Sequence, residues 1–278
     1  NDLKKKITNK TKAIFIAHLI GFPGNIQKIK KIIGKRNIIL LEDCCESQGA
    51  RFNKKKVGNF GIAGSFSFYW GHHMSTIEGG MICTNNEKFY NLCLLKRSHG
   101  LARELPIKKQ TLYKKKYSKS NFKFLFLTDG FNLRSTEINA FLGLSMLKKI
   151  NSWIKIRNNN YRNFINVIKK YENKFKFPKN QKNMSSFVLP FLLINKNEKN
   201  KLEELLNSHG IETRPFIAGN LLRQPFLSAY KNKNFNNAEE IEHNAFYIGN
   251  NQFVDKKRII KLEILLDSFF KINRNIKI

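Results

Sequence analysis

Residues 13–43 read AIFIAHLIGFPGNIQKIKKIIGKRNIILLED. The first seven, AIFIAHL, form an apolar run of strand length, the IGFPGN stretch is a loop, and the segment from there to about Arg36 has helical apolar spacing. NIILLED at 37–43 reads as a second strand. Strand, helix and strand in that order predict an α/β domain with a largely parallel sheet, whose functional loops follow the carboxyl ends of the strands.

The alternation continues outward. Strand-like runs lie near SFSFY (65–69) and MICT (81–84), followed by a helix from about Asn86 to Arg97. Apolar spacing predicts two long helices, Thr136 to Ile150 and Trp153 to Tyr171, that look like a bridge. After Pro178 come a strand (FVLPFLLI), a helix stopped at His209-Gly210, the strand IETRPFI and a last helix from about Asp255. The expected organisation is a large domain over 1–150, a bridging helix over 151–178 and a small C-terminal α/β domain over 179–278.

With 278 residues, 41% of them hydrophobic, the chain can bury a sizeable core. A formal charge of +31 raises the prospect of a polyanion partner. The lysines, however, are spread through nearly every segment among many asparagines and isoleucines, the pattern of a solvated basic surface, so nucleic acid is not the expected partner. The runs KKK at 54–56 and 114–116 read as exposed turns. Cys44, Cys45, Cys83 and Cys93 show no Cys-x-x-Cys spacing, and an adjacent pair is poorly placed to grip one metal ion or close a disulfide loop. No metal is expected. No apolar run approaches the roughly 20 residues that span a bilayer, so a cytoplasmic protein without a membrane partner is expected.

The chemistry gathers at strand ends. Asp43 closes a buried-looking strand, where a carboxylate needs a cation or a strong donor; it could equally be a helix N-cap or a loop-ordering Asp. Ser67 and His72 follow at the ends of the next elements, so one face could collect Asp43, Ser67 and His72. A protonated pyridine nitrogen would suit the Asp and a phosphate the Ser hydroxyl. No lysine occurs from Val57 to Glu87, although FYWGHHMSTIEGG (68–80) displays two histidines on a loop closed by Glu-Gly-Gly. His72 and His73 could also be loop imidazoles satisfied by backbone groups. Glu46 could be a surface residue, as could His99 and Arg103 of SHGLARE and Arg214 and Asn220 of TRPFIAGN.

The phrases TKAIFIAHLIGFPGN, EDCCESQGA, VGNFGIAGSFSFYWGHH, EGGMICTNN and GFNLRSTEINAFLGL, with Asp43, Glu46, Ser67 and His72 in them, resemble the DegT/DnrJ/EryC1/StrS sugar aminotransferase family. The resemblance covers nearly the whole chain from Asp2. It implies the aspartate-aminotransferase fold (fold type I) and a pyridoxal 5'-phosphate or pyridoxamine 5'-phosphate cofactor. By the same resemblance Asp43 pairs with the pyridine nitrogen, Ser67 binds the cofactor phosphate, Glu46 meets the ring oxygen or orients His72, and Asn132 reaches the phosphate of a neighbouring subunit in a homodimer with shared sites. His99, Arg103, Arg214 and Asn220 are implied contacts to substrate or glutamate. The resemblance begins well inside the family's large domain, so an amino-terminal portion carrying a glycine-containing phosphate loop and a stacking aromatic is expected to precede Asn1.

One departure carries the functional expectation. The family's Schiff-base lysine falls at His72, and an imidazole cannot store pyridoxal phosphate covalently. Histidine here resembles the family's 3-dehydratase branch, which removes the carbon 3 hydroxyl of nucleotide-linked 4-keto-6-deoxyhexoses for deoxysugar and lipopolysaccharide synthesis, with glutamate as amino donor. The expected substrate is GDP-4-keto-6-deoxy-D-mannose. A dehydrase of CDP-4-keto-6-deoxyglucose is the near rival, but it would carry a cysteine cluster for an iron-sulfur centre, and no Cys occurs from Leu94 onward. A nucleotide-sugar aminotransferase, a noncatalytic relative and a polyanion-binding protein also stay open on the sequence. A reference pKa near 6.5 lets His72 both accept and donate a proton near neutrality.

Overall fold

The computed structural model describes residues 2–177, 183–230 and 235–271. The expected boundary at Pro178 lies outside them. Two compact units divide the chain: Asn1–Leu19 with Pro23–Ile150, and Ile20–Phe22 with Asn151–Ile278.

In the first unit α1 (Asp2–Lys6) precedes β1 (Ala13–Ala17), α2 (Ile26–Ile33) and β2 (Ile39–Asp43). α2 forms where the sequence supplies both stops. Asn25 caps its start by accepting the Lys28 N–H at 3.0 Å, and Gly34, at φ 58°, ends it. Ile26 and Ile33 turn inward while the lysines stay outside, so the crossover covers the sheet and leaves β1 and β2 parallel. A small hairpin, β3 (Arg51–Phe52) with β4 (Lys55–Lys56), leads to β5 (Ala63–Ser67), and a long loop then leads to β6 (Gly80–Cys83). The sheet order is β1-β2-β5-β6, with β5 parallel to β2 and β6 antiparallel at the edge. It is the expected mostly parallel sheet, closed by one antiparallel strand.

Three further helices complete the unit: α3 (Glu87–Arg97), α4 (Ile107–Lys116) and α5 (Glu137–Leu147). Asn86 caps α3 and Thr136 caps α5. The two lysine runs are not alike. Lys54 stands at φ 66° in the β3–β4 turn, with Lys55 and Lys56 in the outgoing strand. The run at 114–116, expected as a turn, is the last turn of α4, where cations meet the negative end of the helix dipole.

The second unit has α6 (Ile150–Ile168), β7 (Val188–Leu192), α7 (Lys199–Ser208), β8 (Thr213–Pro215), α8 (Asn236–Asn244), β9 (Ala245–Gly249) and α9 (Lys256–Phe269). Its sheet is antiparallel in the order β7-β9-β8. Phe191 of β7 stacks on Phe246 of β9 at 4.6 Å, and Phe164, Phe175, Leu202, Leu206, Leu262 and Leu266 close the core around them.

Candidate active site

Parallel pairing puts the carboxyl ends of β2 and β5 side by side, with Asp43 in register with Ser65. Asp43 and Ser67 therefore leave the sheet on the same edge. No helix starts directly after β2, so Asp43 is not an N-cap. Its carboxylate instead accepts the Cys45 N–H at 3.0 Å and orders the loop. Gln48, almost fully buried, donates through Nε2 to the Ser67 carbonyl at 2.6 Å and so ties the turn after β2 to the end of β5. Glu46 lies half-buried in the same turn.

The Ser67 hydroxyl oxygen accepts the Tyr69 N–H at 3.2 Å, which starts the loop toward β6. His72 sits near the apex, its N–H donating to the Tyr69 carbonyl at 3.0 Å and its ring 6.2 Å from the Tyr69 ring, edge on. The two histidines part company in burial. His73 is 3% exposed, whereas His72 is half-buried. Of the two imidazoles, His72 is the one with surface left to meet a ligand.

Under this edge lies a polar core. Glu42 is fully buried in β2 and accepts from His18 Nε2 at 3.1 Å, Gly58 N–H at 2.8 Å, Phe60 N–H at 2.6 Å and Gly61 N–H at 2.8 Å. Burial pushes its pKa up, but the His18 ring and three backbone donors outweigh that and hold the carboxyl below 4.5. His18 Nδ1 accepts the Gly24 N–H at 2.9 Å, which puts the ring proton on Nε2, facing Glu42. The Cys44 thiol lies close enough to complete a metal-sized group with His18 and Glu42. Those histidine and carboxylate atoms are already spent on each other and on backbone N–H groups, and burial raises the thiol pKa strongly, so the group reads as a structural lock.

Over residues 1–260 the sequence matches the DegT/DnrJ/EryC1/StrS aminotransferase family. The chain belongs to this family. It is 38% identical over 257 residues to GDP-4-keto-6-deoxy-D-mannose 3-dehydratase of Escherichia coli O55:H7, covering 90% of this chain and 66% of that protein. A solved structure of the E. coli GDP-4-keto-6-deoxy-D-mannose 3-dehydratase with bound hydrated PLP superposes with a TM-score of 0.85 at 37% identity, covering 95% of this chain and 69% of that one. A crystal structure of GDP-4-keto-6-deoxymannose 3-dehydratase with a trapped PLP-glutamate geminal diamine gives 0.85 at 36% identity, covering 95% and 70%. The chain thus spans about two thirds of the length of these relatives. The aspartate-aminotransferase-like fold implied by the resemblance is the fold of this chain.

The remaining implied residues of this family member are placed as follows. His99 is half-buried at φ 58°, its N–H donating to the Phe131 carbonyl at 2.8 Å. Asn132 pairs with Ser98 in an isolated antiparallel bridge and is exposed. That bridge brings the SHG and GFN phrases together. Arg103 is exposed; it donates to the Lys123 carbonyl at 3.0 Å and lies over the Phe124 ring at 5.9 Å. Arg214 and Asn220 belong to the second unit. Arg214, on β8, pairs with Glu212 just before the strand. Asn220 is buried, its carboxamide donating to Glu239 at 2.6 Å and accepting the Leu222 N–H at 3.1 Å, so it orders the turn in which it stands.

Sequence reading missed His18, Glu42 and Gln48. Glu42 carried a signal, a carboxylate at an inward position of an apolar strand. Three of its four donors, however, come from a turn 16 to 19 residues away, and the fourth, His18, lies 24 residues before it.

Proposed function

We propose that the chain belongs to a pyridoxal phosphate and pyridoxamine phosphate-dependent 3-dehydratase, acting on GDP-4-keto-6-deoxy-D-mannose in deoxysugar and lipopolysaccharide synthesis. The observation that carries the reading is a half-buried histidine, where the family's lysine falls, on the loop that leaves β5 beside Asp43 and Ser67. The named relatives, at 36% to 38% identity, support the substrate class.

The residues present fit the cofactor. The Asp43 turn uses Oδ1, so Oδ2 can accept from a protonated ring nitrogen, and the Ser67 hydroxyl, which accepts from Tyr69, still has its proton to donate to a phosphate. Glu46 would meet the ring oxygen or orient His72, and Asn132 would serve the phosphate of a second copy. When bound, the cofactor supplies an amine for the 4-keto carbon and a conjugated ring that carries electron pairs. His72 then takes a proton with one ring nitrogen and returns one to the departing carbon 3 hydroxyl; general acid-base catalysis of this kind is worth about 10² to 10⁴ in rate. Because no amine stands at position 72, nothing in the loop competes to store the cofactor covalently. His99 and Arg103 are proposed substrate or glutamate contacts, with glutamate regenerating the amine.

The test is incubation with GDP- and CDP-4-keto-6-deoxyhexoses, pyridoxamine phosphate and glutamate, followed by mass measurement of the sugar. Loss of the carbon 3 hydroxyl oxygen supports dehydration. Gain of an amine at carbon 4 with that oxygen retained overturns it.

A further inference from the structure

The loop between β5 and β6 contains an unusual backbone. Ile77 has φ 71°, a left-handed conformation that β-branched side chains rarely adopt. Its side chain is 64% exposed, so packing does not hold it there. Its own N–H donates to Ser75 Oγ at 3.0 Å within the loop, and from outside the loop a carboxamide on α5 brackets it. Asn139 Nδ2 donates to the Thr76 carbonyl at 2.8 Å and to the Glu78 carbonyl at 3.0 Å, the residues on either side of Ile77. Neighbouring bonds complete the arrangement. Thr76 donates through its N–H to the Phe68 carbonyl at 2.8 Å and through Oγ1 to the Glu78 carbonyl at 2.7 Å, and the Ser75 N–H meets Met146 Sδ at 3.3 Å. Gly143 lets α5 come close, since a Cβ there would lie 3.1 Å from Thr76 Cγ2.

We propose that Asn139 is a positioning residue for His72: its carboxamide fixes the strained return of the loop and thereby the place of the imidazole at the loop apex. This rests on the reading of His72 as the proton carrier. The carboxamide has two separable jobs. Its oxygen accepts the Thr136 N–H at 3.2 Å and so completes the cap of α5, while its nitrogen clamps the loop. Asn139→Asp keeps an acceptor for the cap and removes both donors to the loop. Ile77→Gly removes the strain that the clamp opposes, because glycine adopts positive φ freely.

The experiment compares the unaltered chain, Asn139→Asp, and Asn139→Asp combined with Ile77→Gly. The readouts are amide hydrogen exchange over 68–80 and over α5, and kcat and KM for sugar dehydration. Asn139→Asp is expected to speed exchange at Ser75 to Gly79 by about tenfold, leave α5 protected, and lower kcat by on the order of tenfold or more with KM little changed, as misplaced reacting groups do. Adding Ile77→Gly is expected to recover most of both losses. A residue that served only to cap α5 would show neither the selective loosening nor the rescue. Unchanged loop exchange in Asn139→Asp overturns the clamp whatever the sugar assay gives, and so does a further loss on adding Ile77→Gly. Full dehydration by His72→Asn overturns the underlying reading and the positioning role with it, and is distinguished by a loop that still loosens in Asn139→Asp.

Discussion

A carboxylate buried beneath the Asp43 edge must be satisfied or protonated, and Glu42 is satisfied four times over. Its lowered pKa makes it a stability term with a definite sign. Because the folded-state pKa lies below the unfolded value of 4.5, the contribution is complete above that pH and disappears as pH falls through the lowered pKa. Urea unfolding measured from pH 7 to pH 3 should show this acid limb, and Glu42→Gln should flatten it while costing about 2–4 kcal/mol at pH 7, since an amide nitrogen would face donors. An acid limb identical in Glu42→Gln would refute the assignment. The histidine pair permits a sharper test. His72→Asn should retain reversible cofactor binding and lose about 10² or more in dehydration rate. His73→Asn, at a buried ring, should act mainly on stability. Borohydride should trap no pyridoxyl adduct at this loop until His72→Lys supplies an amine. An inactive His73→Asn beside an active, cofactor-binding His72→Asn would move the chemistry to the neighbouring ring.

At the scale of elements, the buried guanidinium of Arg157 holds the middle of α6 to the second unit's sheet. Arg157 donates to the Phe187 carbonyl at 3.1 Å and the Asn250 carbonyl at 2.5 Å, while Asn250 Nδ2 returns a bond to the Arg157 carbonyl at 3.0 Å and another to Ser186 Oγ at 2.8 Å. Burial lowers its pKa to about 10, so it stays charged at neutrality. Arg157→Leu strands two carbonyls, and a loss of about 2–4 kcal/mol is expected in denaturant unfolding; a change under about 0.5 kcal/mol would show that the network carries little stability. Elements of this kind differ in how openly the sequence announces them. β1, α2 and β2 were legible because alternation, an Asn cap and a Gly stop all agreed. α4 was hidden by a face rich in lysine with no buried residue to set a period. β9, the central strand of the second sheet, was hidden because AFYIG follows α8 without a turn signal, its N-terminal residue Ala245 directly after Asn244. For the candidate site, Asp43 and Ser67 stand at strand ends and His72 on the loop after the second, positions a sequence displays, whereas Gln48 and Asn139 make contacts 19 and more than 60 residues distant in sequence, which no local pattern records.

The molecule as a whole has an apolar surface that its own charge distribution makes conspicuous. In a chain of net charge +31, α5 has no buried residue, yet Ile138 and Phe141 are 72% and 75% exposed, and Leu144, Phe131 and Leu133 are exposed with them. Ile138, Phe141 and Leu144 follow one another at a spacing of three and so share one face of α5, a face that soluble monomers rarely leave in water. Phe131 and Leu133 flank Asn132, the residue proposed to serve the cofactor of a second copy, and a second copy seated there would also cover them. The proposed two-fold arrangement would do both, because each copy would then offer the same patch and receive the same Asn. Mixing inactive His72→Ala and Asn132→Ala chains under exchange conditions should create hybrids with one intact site each, and at random pairing about a quarter of the unaltered activity should return. Mass spectrometry of the mixture establishes that exchange has occurred. Hybrids that form and remain silent would mean that Asn132 serves the site of its own chain, and the apolar surface around it would then need a different occupant.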